Sequence, residues 1–309
     1  MSDAVLKNIP GMKQAEPVAV LRAEDLPESV FFRDHVSNSR PCVIKGAVRH
    51  WPASRHWREA DYLKNLCGHY DVLFFPHENH ITFNRMMAEK QDMRFDEALD
   101  RLHSAQTGVA SLGLTQDFPE MRRDIGGFSF LTKAEPSFFY SPVRYFIHRN
   151  AGSAWHYHPF DETLMCQVVG AKKVGLLNAR TLFQKEVQEI FFREDYFDDP
   201  FQFEKLDHAG LRFFSAIVEE GDALYIPPLW WHGVSPVSES FGITAAVPWR
   251  SPLPVIADSI RKMAAGEVDL MGATSQEQLQ SLIAVAGKLG VGEELAAAMT
   301  RAWAMPVAL

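Results

Sequence analysis

Two short segments carry residues whose types and spacing suit metal chemistry. Residues 156–162 read HYHPFDE, and residues 221–234 read GDALYIPPLWWHGV. Side chains alternate along a strand, so His156 and His158 are expected on one face, where two imidazoles can hold one metal ion at about 2.0–2.1 Å. An HxH pair alone is as readily the polar end of a strand. The second segment adds weight. His232 follows a strand-like run and a turn stiffened by Pro227–Pro228 and Trp230–Trp231, and preorganised ligands need rigid scaffolding of that kind. The same surroundings also suit a buried hydrogen-bonding histidine. His35, His50, His56, His69, His77, His80, His103 and His208 are read as surface or satisfied residues.

The elements around these segments are short. Runs at 108–114, 144–150, 163–169, 172–178, 212–218, 222–227 and 242–247 are apolar or alternating and are punctuated by Gly, Pro, Asp or Asn. Many short strands with turn signals indicate a β-sandwich or barrel. Before them, helices are expected at 26–36, 58–68 and 93–105, and strands at 41–48 and 70–75. Residues 1–16 read as a loose leader, and 179–207 as an irregular insertion or lid. The tail, 251–309, reads as helical. Leu279, Leu282, Ile283 and Ala286 there repeat at helical spacing behind Ser275 as N-cap.

Composition sets the limits. At about 100–200 residues per domain, 309 residues make one large domain or two small ones. Apolar residues at 47% and charged residues at 23% give an ordinary globular balance. A net charge of −8 argues against non-specific nucleic-acid binding, which needs a basic footprint. Three scattered cysteines make neither a disulfide framework nor a Cys-rich zinc site. The N-terminal run lacks the apolar core of a signal peptide, and no stretch reaches the length of a membrane span. The expectation is a cytoplasmic protein with no membrane partner.

The two histidine segments resemble the paired motifs of the cupin superfamily. The first is HxHxxxE, here His156, His158 and Glu162. The second is G-x5-P ending in His, here Gly221, Pro227 and His232. More narrowly, GDALYIPPLWWHGV, QVVGAKKV (167–174), RPCVIKGAVRHWPASRHW (40–57) and DFPEM (117–121) resemble the JmjC-type cupin-like hydroxylases, in particular the asparaginyl hydroxylase group. The likeness runs over roughly 17–250. It implies a double-stranded β-helix (jelly-roll barrel) with helical additions, holding Fe(II) and taking 2-oxoglutarate as co-substrate. Lys172 falls where that group has the lysine that pairs with the distal carboxylate, and Ser153 where a hydroxyl residue assists it. A dicarboxylate inside an apolar barrel needs a cation and a donor. Thr163 and Met165 would share a face and line the pocket. The helical tail resembles that group's dimerising helices, which implies a homodimer.

One position departs from the group. Its usual first motif is His-x-Asp, and His158 stands where the carboxylate would be. The run from His156 to Gln167 is also one residue longer. Either His156, His158 and His232 form a three-histidine site, or Asp161 or Glu162 swings in as a ligand. Three protein ligands on an octahedral metal leave three positions, enough for a chelating 2-oxo acid and O₂; four leave only two. Three readings therefore stand: a 2-oxoglutarate oxygenase acting on a peptide side chain or small molecule, a three-histidine oxygenase that ignores 2-oxoglutarate, and a non-catalytic metal-binding cupin module.

Overall fold

The computed structural model describes residues 12–76, 89–104, 106–112, 118–137, 142–158, 161–177, 212–228, 230–237 and 241–252. The leader up to residue 11, the insertion at 179–207 and the tail beyond 252 lie outside the described residues.

Eight strands in the second half form the frame. They are β7 (Arg144–Arg149), β8 (Ser153–His156), β9 (Asp161–Val169), β10 (Lys172–Leu177), β11 (Phe213–Val218), β12 (Ala223–Ile226), β13 (Trp231–Pro236) and β14 (Phe241–Arg250). They divide four and four. One sheet contains the order β12-β9-β14-β7 and the other β11-β10-β13-β8. Neighbouring strands within each set of four are antiparallel. From β7 to β10 the chain changes sheet at every step, and from β11 to β14 it does so again. Two facing sheets wound in this way are a double-stranded β-helix, the jelly roll that the sequence pattern implied.

The N-terminal strands enlarge this frame. β2 (Ala19–Arg22) and β3 (Cys42–Lys45) extend the first sheet beyond β12. β4 (Asp71–Phe75), β5 (Gln91–Arg94) and β6 (Gly108–Leu112) extend it beyond β7, giving nine strands. β1 (Glu16–Pro17) adds a fifth strand to the other sheet, parallel to β11. Met93 and Arg94, the start of the helix expected over 93–105, instead end β5. That strand pairs with β4, and the helix begins only at Phe95.

Helices cover the outer face of the nine-stranded sheet. They are α1 (Glu28–Phe31), α2 (Ala53–His56), α3 (Ala60–Cys67), α4 (Phe95–His103) and α5 (Pro119–Arg122). In α4, Phe95, Ala98, Leu99 and Leu102 are buried at helical spacing, the stripe that lets a short helix gain stability by packing. The run at 26–36, read as one helix, is α1 followed by a wider-wound turn over Phe32–Val36. Between helices and sheet lies the main core, which includes Phe31, Trp57, Phe95, Tyr145, Leu164, Cys166, Val168, Tyr225 and Trp249. Trp57 keeps its indole N–H satisfied there by donating to Asp124 (2.8 Å), which also accepts from the Tyr62 hydroxyl (2.9 Å).

Alternation along β9 separates this core from the barrel interior. All nine residues of β9 are buried, because both faces are covered. Leu164, Cys166 and Val168 point to the helices. Thr163, Met165 and Gln167 have the opposite parity and face the space between the sheets. Gly170, at φ +79, turns β9 into β10, a conformation that suits glycine because it has no Cβ.

Candidate metal centre

β8 and β13 are antiparallel neighbours, with His156 directly opposite His232. His158 lies just past the end of β8. The expectation that both HxH residues sit on one strand therefore holds only for His156. Pro159 follows in the sequence and has no N–H to give to a ladder. The chain nonetheless returns His158 to the same place. The three rings have centroids 4.2 Å (His156–His232), 5.0 Å (His158–His232) and 5.4 Å (His156–His158) apart. One ligand atom from each lies within 4.8 Å of the other two. Among the described residues no carboxylate belongs to this group.

Two of the rings are held from behind. The Nδ1 of His232 lies 2.9 Å from the backbone oxygen of Trp230, and that of His158 lies 2.9 Å from the Thr163 hydroxyl. An N–H donated to the Trp230 carbonyl leaves Nε2 of His232 as a lone-pair donor, the arrangement by which outer partners orient metal-binding imidazoles. Trp230 is itself fixed, its indole N–H donating to the backbone oxygen of Ser39 at 3.0 Å. Burial, helped by Arg144 and the neighbouring histidines, holds His158 and His232 well below the usual imidazole range. Both are therefore neutral at physiological pH, as metal ligation requires. Three converging imidazoles, two of them neutral and held by an outer partner, are a donor set that fits a first-row transition metal.

The two carboxylates considered as further ligands are placed otherwise. Glu162 is fully buried on the helix side of β9, where it accepts hydrogen bonds from Tyr225 (2.6 Å) and Ser251 (2.6 Å). Burial pushes its carboxyl up to about 7. Asp161 is also buried, and its carboxyl is pushed up to about 6 by burial against the opposing pull of Ser137, Arg144 and Arg250.

Lys172 is buried at the start of β10 with a parity that turns it into the barrel, as His232 is turned. Its register partner, Pro236, lies four residues along β13 from His232, about 13 Å at 3.3 Å per residue. Burial lowers its ammonium to about 7. Ser153 lies opposite Val234 on β13, and its hydroxyl is buried without a hydrogen-bond partner among the described residues. Val174, Leu176 and Val234 form the apolar wall between Lys172 and the histidines.

The profile of the cupin-like domain family matches residues 27–252, nearly the whole described barrel and its N-terminal additions.

The chain belongs to the cupin-like domain family.

Among curated proteins, this cupin-like chain is similar to the lysine-specific demethylase JMJ30 of Arabidopsis thaliana, with 27% identity covering 69% of this chain and 51% of the relative. It is similar to JmjC domain-containing protein D of Dictyostelium discoideum, with 24% identity covering 69% and 52%. It is also similar to the human tRNA wybutosine-synthesizing protein 5, with 25% identity covering 75% and 78%. The chain thus spans about half the length of the first two relatives.

Within the cupin-like barrel, two polar residues escaped the sequence reading. Arg144 and His148 share the inward face of β7, since Tyr145 and Ile147 of the opposite parity join the helix-side core. The alternation R-Y-F-I-H at 144–148 was the available signal. Trp249 is core, packed beside Phe31 and Tyr225. Among the described residues no helix is long and apolar enough to cross a membrane.

Proposed function

We propose that this protein is an Fe(II)- and 2-oxoglutarate-dependent oxygenase that hydroxylates a C–H bond of a peptide side chain or a small molecule. The observation that carries this reading is the pairing, inside one barrel, of a three-histidine cluster with a buried lysine that meets no counter-ion among the described residues. A buried cation without an anion is costly unless a ligand supplies one. When bound, the metal would supply the oxidative chemistry: O₂ and 2-oxoglutarate are consumed, succinate and CO₂ leave, and one oxygen atom enters the C–H bond.

The chain's own residues do the positioning. His156, His158 and His232 hold the metal. The Trp230 carbonyl and the Thr163 hydroxyl fix the His232 and His158 rings. Lys172 binds the distal carboxylate of 2-oxoglutarate, and Ser153 donates a hydrogen bond to it. Thr163, expected among the co-substrate contacts, acts through His158. Met165, Val174, Leu176 and Val234 keep water from the chelate, which strengthens each of these polar contacts.

The relatives' names point to protein lysine demethylation and to tRNA modification. The net charge of −8 favours a peptide or small molecule over an RNA partner. Full-length partners, a homodimer built by the tail and a cytoplasmic site of action belong to the same proposal. A second reading has one observation in its favour: a three-histidine set without a carboxylate also suits an oxygenase that does not use 2-oxoglutarate.

An anaerobic titration separates the two. Fe(II) is added to the metal-free protein, then 2-oxoglutarate, and the visible charge-transfer band of the chelate is followed. A band that requires His156 and His232, with conversion of 2-oxoglutarate to succinate on admitting air, is the expected result. Firm metal binding through all three histidines with no band and no succinate overturns the co-substrate assignment.

A further inference from the structure

His148 stands on β7 opposite Gly242 of β14. It is 2% exposed, and among the described residues neither ring nitrogen has a hydrogen-bond partner. A neutral imidazole carries one N–H and one lone pair, and leaving either buried and unpaired is unfavourable. An apolar residue would fill a purely structural position at less expense.

The surroundings are shaped to admit the ring. A Cβ on Gly242 would lie 2.4 Å from Cε1 of His148 and 3.1 Å from the Val169 oxygen. Gly242 in turn packs on Gly170, where a Cβ would lie 3.4 Å from the Gly242 Cα. Gly170 leads directly into β10, whose first residue is Lys172. His148 and Lys172 therefore meet at one end of the barrel, from opposite sheets. Burial, with the charge of Lys172 beside it, holds the imidazole well below its usual range, so the ring is neutral.

We propose that His148 is a third anchor for the distal carboxylate of the 2-oxo acid, donating a ring N–H beside the Lys172 contact, and that it selects dicarboxylates over monocarboxylates. This rests on the co-substrate reading above. A carboxylate offers about four lone-pair sites, more than one ammonium and one hydroxyl fill. A neutral imidazole adds a donor without adding a second buried charge.

The test uses the full chain loaded with Zn(II), so that no turnover intervenes. Calorimetry gives the affinity for 2-oxoglutarate and for 2-oxobutyrate, which lacks the distal carboxylate. His148→Phe is expected to weaken 2-oxoglutarate by about 10-fold and leave 2-oxobutyrate unchanged. His148→Gln, which keeps an N–H donor, is expected to recover most of the loss. An equal loss for both acids, or no loss, overturns the proposal. A readout on the unaltered protein does not depend on the variants folding. In ¹⁵N-histidine-labelled protein, one His148 ring nitrogen should become a hydrogen-bonded N–H on adding 2-oxoglutarate but not 2-oxobutyrate. An unmoved resonance also overturns the proposal. If the unaltered protein binds neither acid, the co-substrate reading falls and this inference falls with it. If it binds 2-oxoglutarate and His148→Phe binds it equally well, only the role of His148 is lost.

Discussion

His156 and His232 face each other across the antiparallel pair β8–β13, with ring centroids 4.2 Å apart. They are far apart in sequence, so the proposed metal centre forms only when these two strands are in register. Removing either ring leaves a two-imidazole site. His232→Ala is expected to lower affinity for Mn(II), measured by calorimetry, by about 100-fold or more, and Thr163→Val by about 10-fold through loss of the hydroxyl behind His158. Unchanged affinity in Thr163→Val would remove that hydroxyl from any orienting role.

If Lys172 holds the proposed co-substrate, its binding is expected to depend on pH. In the ligand-free protein its ammonium loses its proton near 7, well below the ordinary 10.5. A bound carboxylate favours the charged form, so binding takes up a proton once the pH exceeds about 7. Affinity for 2-oxoglutarate should fall as pH rises above 7, approaching about 10-fold per pH unit. Calorimetry in two buffers of different ionisation enthalpy measures the proton uptake directly. Lys172→Ala should bind about 10–100-fold more weakly, with the pH dependence abolished. A flat pH profile in the unaltered protein would show that Lys172 does not touch the ligand.

Glu162 makes stability, too, fall as the pH rises. The unfolded chain releases this proton near 4.5, while the folded chain holds it to about 7. Between these values the folded state binds more protons, so stability falls as pH rises from 4.5 to 7, by about 3 kcal/mol in full, and is level above. Glu162→Gln keeps a near-identical shape beside the Tyr225 and Ser251 hydroxyls and removes the ionisation. Denaturant unfolding of both metal-free proteins at pH 5 and pH 8 should show the variant gaining on the parent at pH 8. Equal differences at the two pH values would mean that Glu162 ionises in the fold as readily as in water.

Gly242→Ala tests the close approach that seats His148. The new methyl would meet the imidazole and the Val169 oxygen, and overpacking of this kind costs about 1–3 kcal/mol. The midpoint of thermal unfolding should drop by several degrees, and in the Zn(II)-loaded protein 2-oxoglutarate should bind more weakly. A variant as stable as the parent would show that the ring can move aside freely.

Much of this was legible in the chain. The strands over 108–114, 144–150, 163–169, 172–178, 212–218, 222–227 and 242–247 showed themselves because alternation and turn residues are local properties. Where a rule of local order failed, neighbours intervened. Gln91–Arg94 became a strand because β4 offered a ladder. The period of two also named His156, because a strand repeats its faces regardless of what it pairs with. His232 stands out as a candidate by its stiff surroundings, and Lys172 and Ser153 are candidates by family resemblance alone.

Tertiary structure decided the rest. Nothing local distinguishes Glu162 from Asp161 or Thr163 as a metal neighbour. The winding of the two sheets sets β9 so that Thr163 meets His158 while Glu162 turns to Tyr225 and Ser251. Nor does the run RYFIH reveal that its histidine meets a glycine on β14 and lies near a lysine of the opposite sheet. Sequence patterns determine which residues share a face of one strand. Which faces are brought together depends on strand order and register, and these are set by the whole core at once.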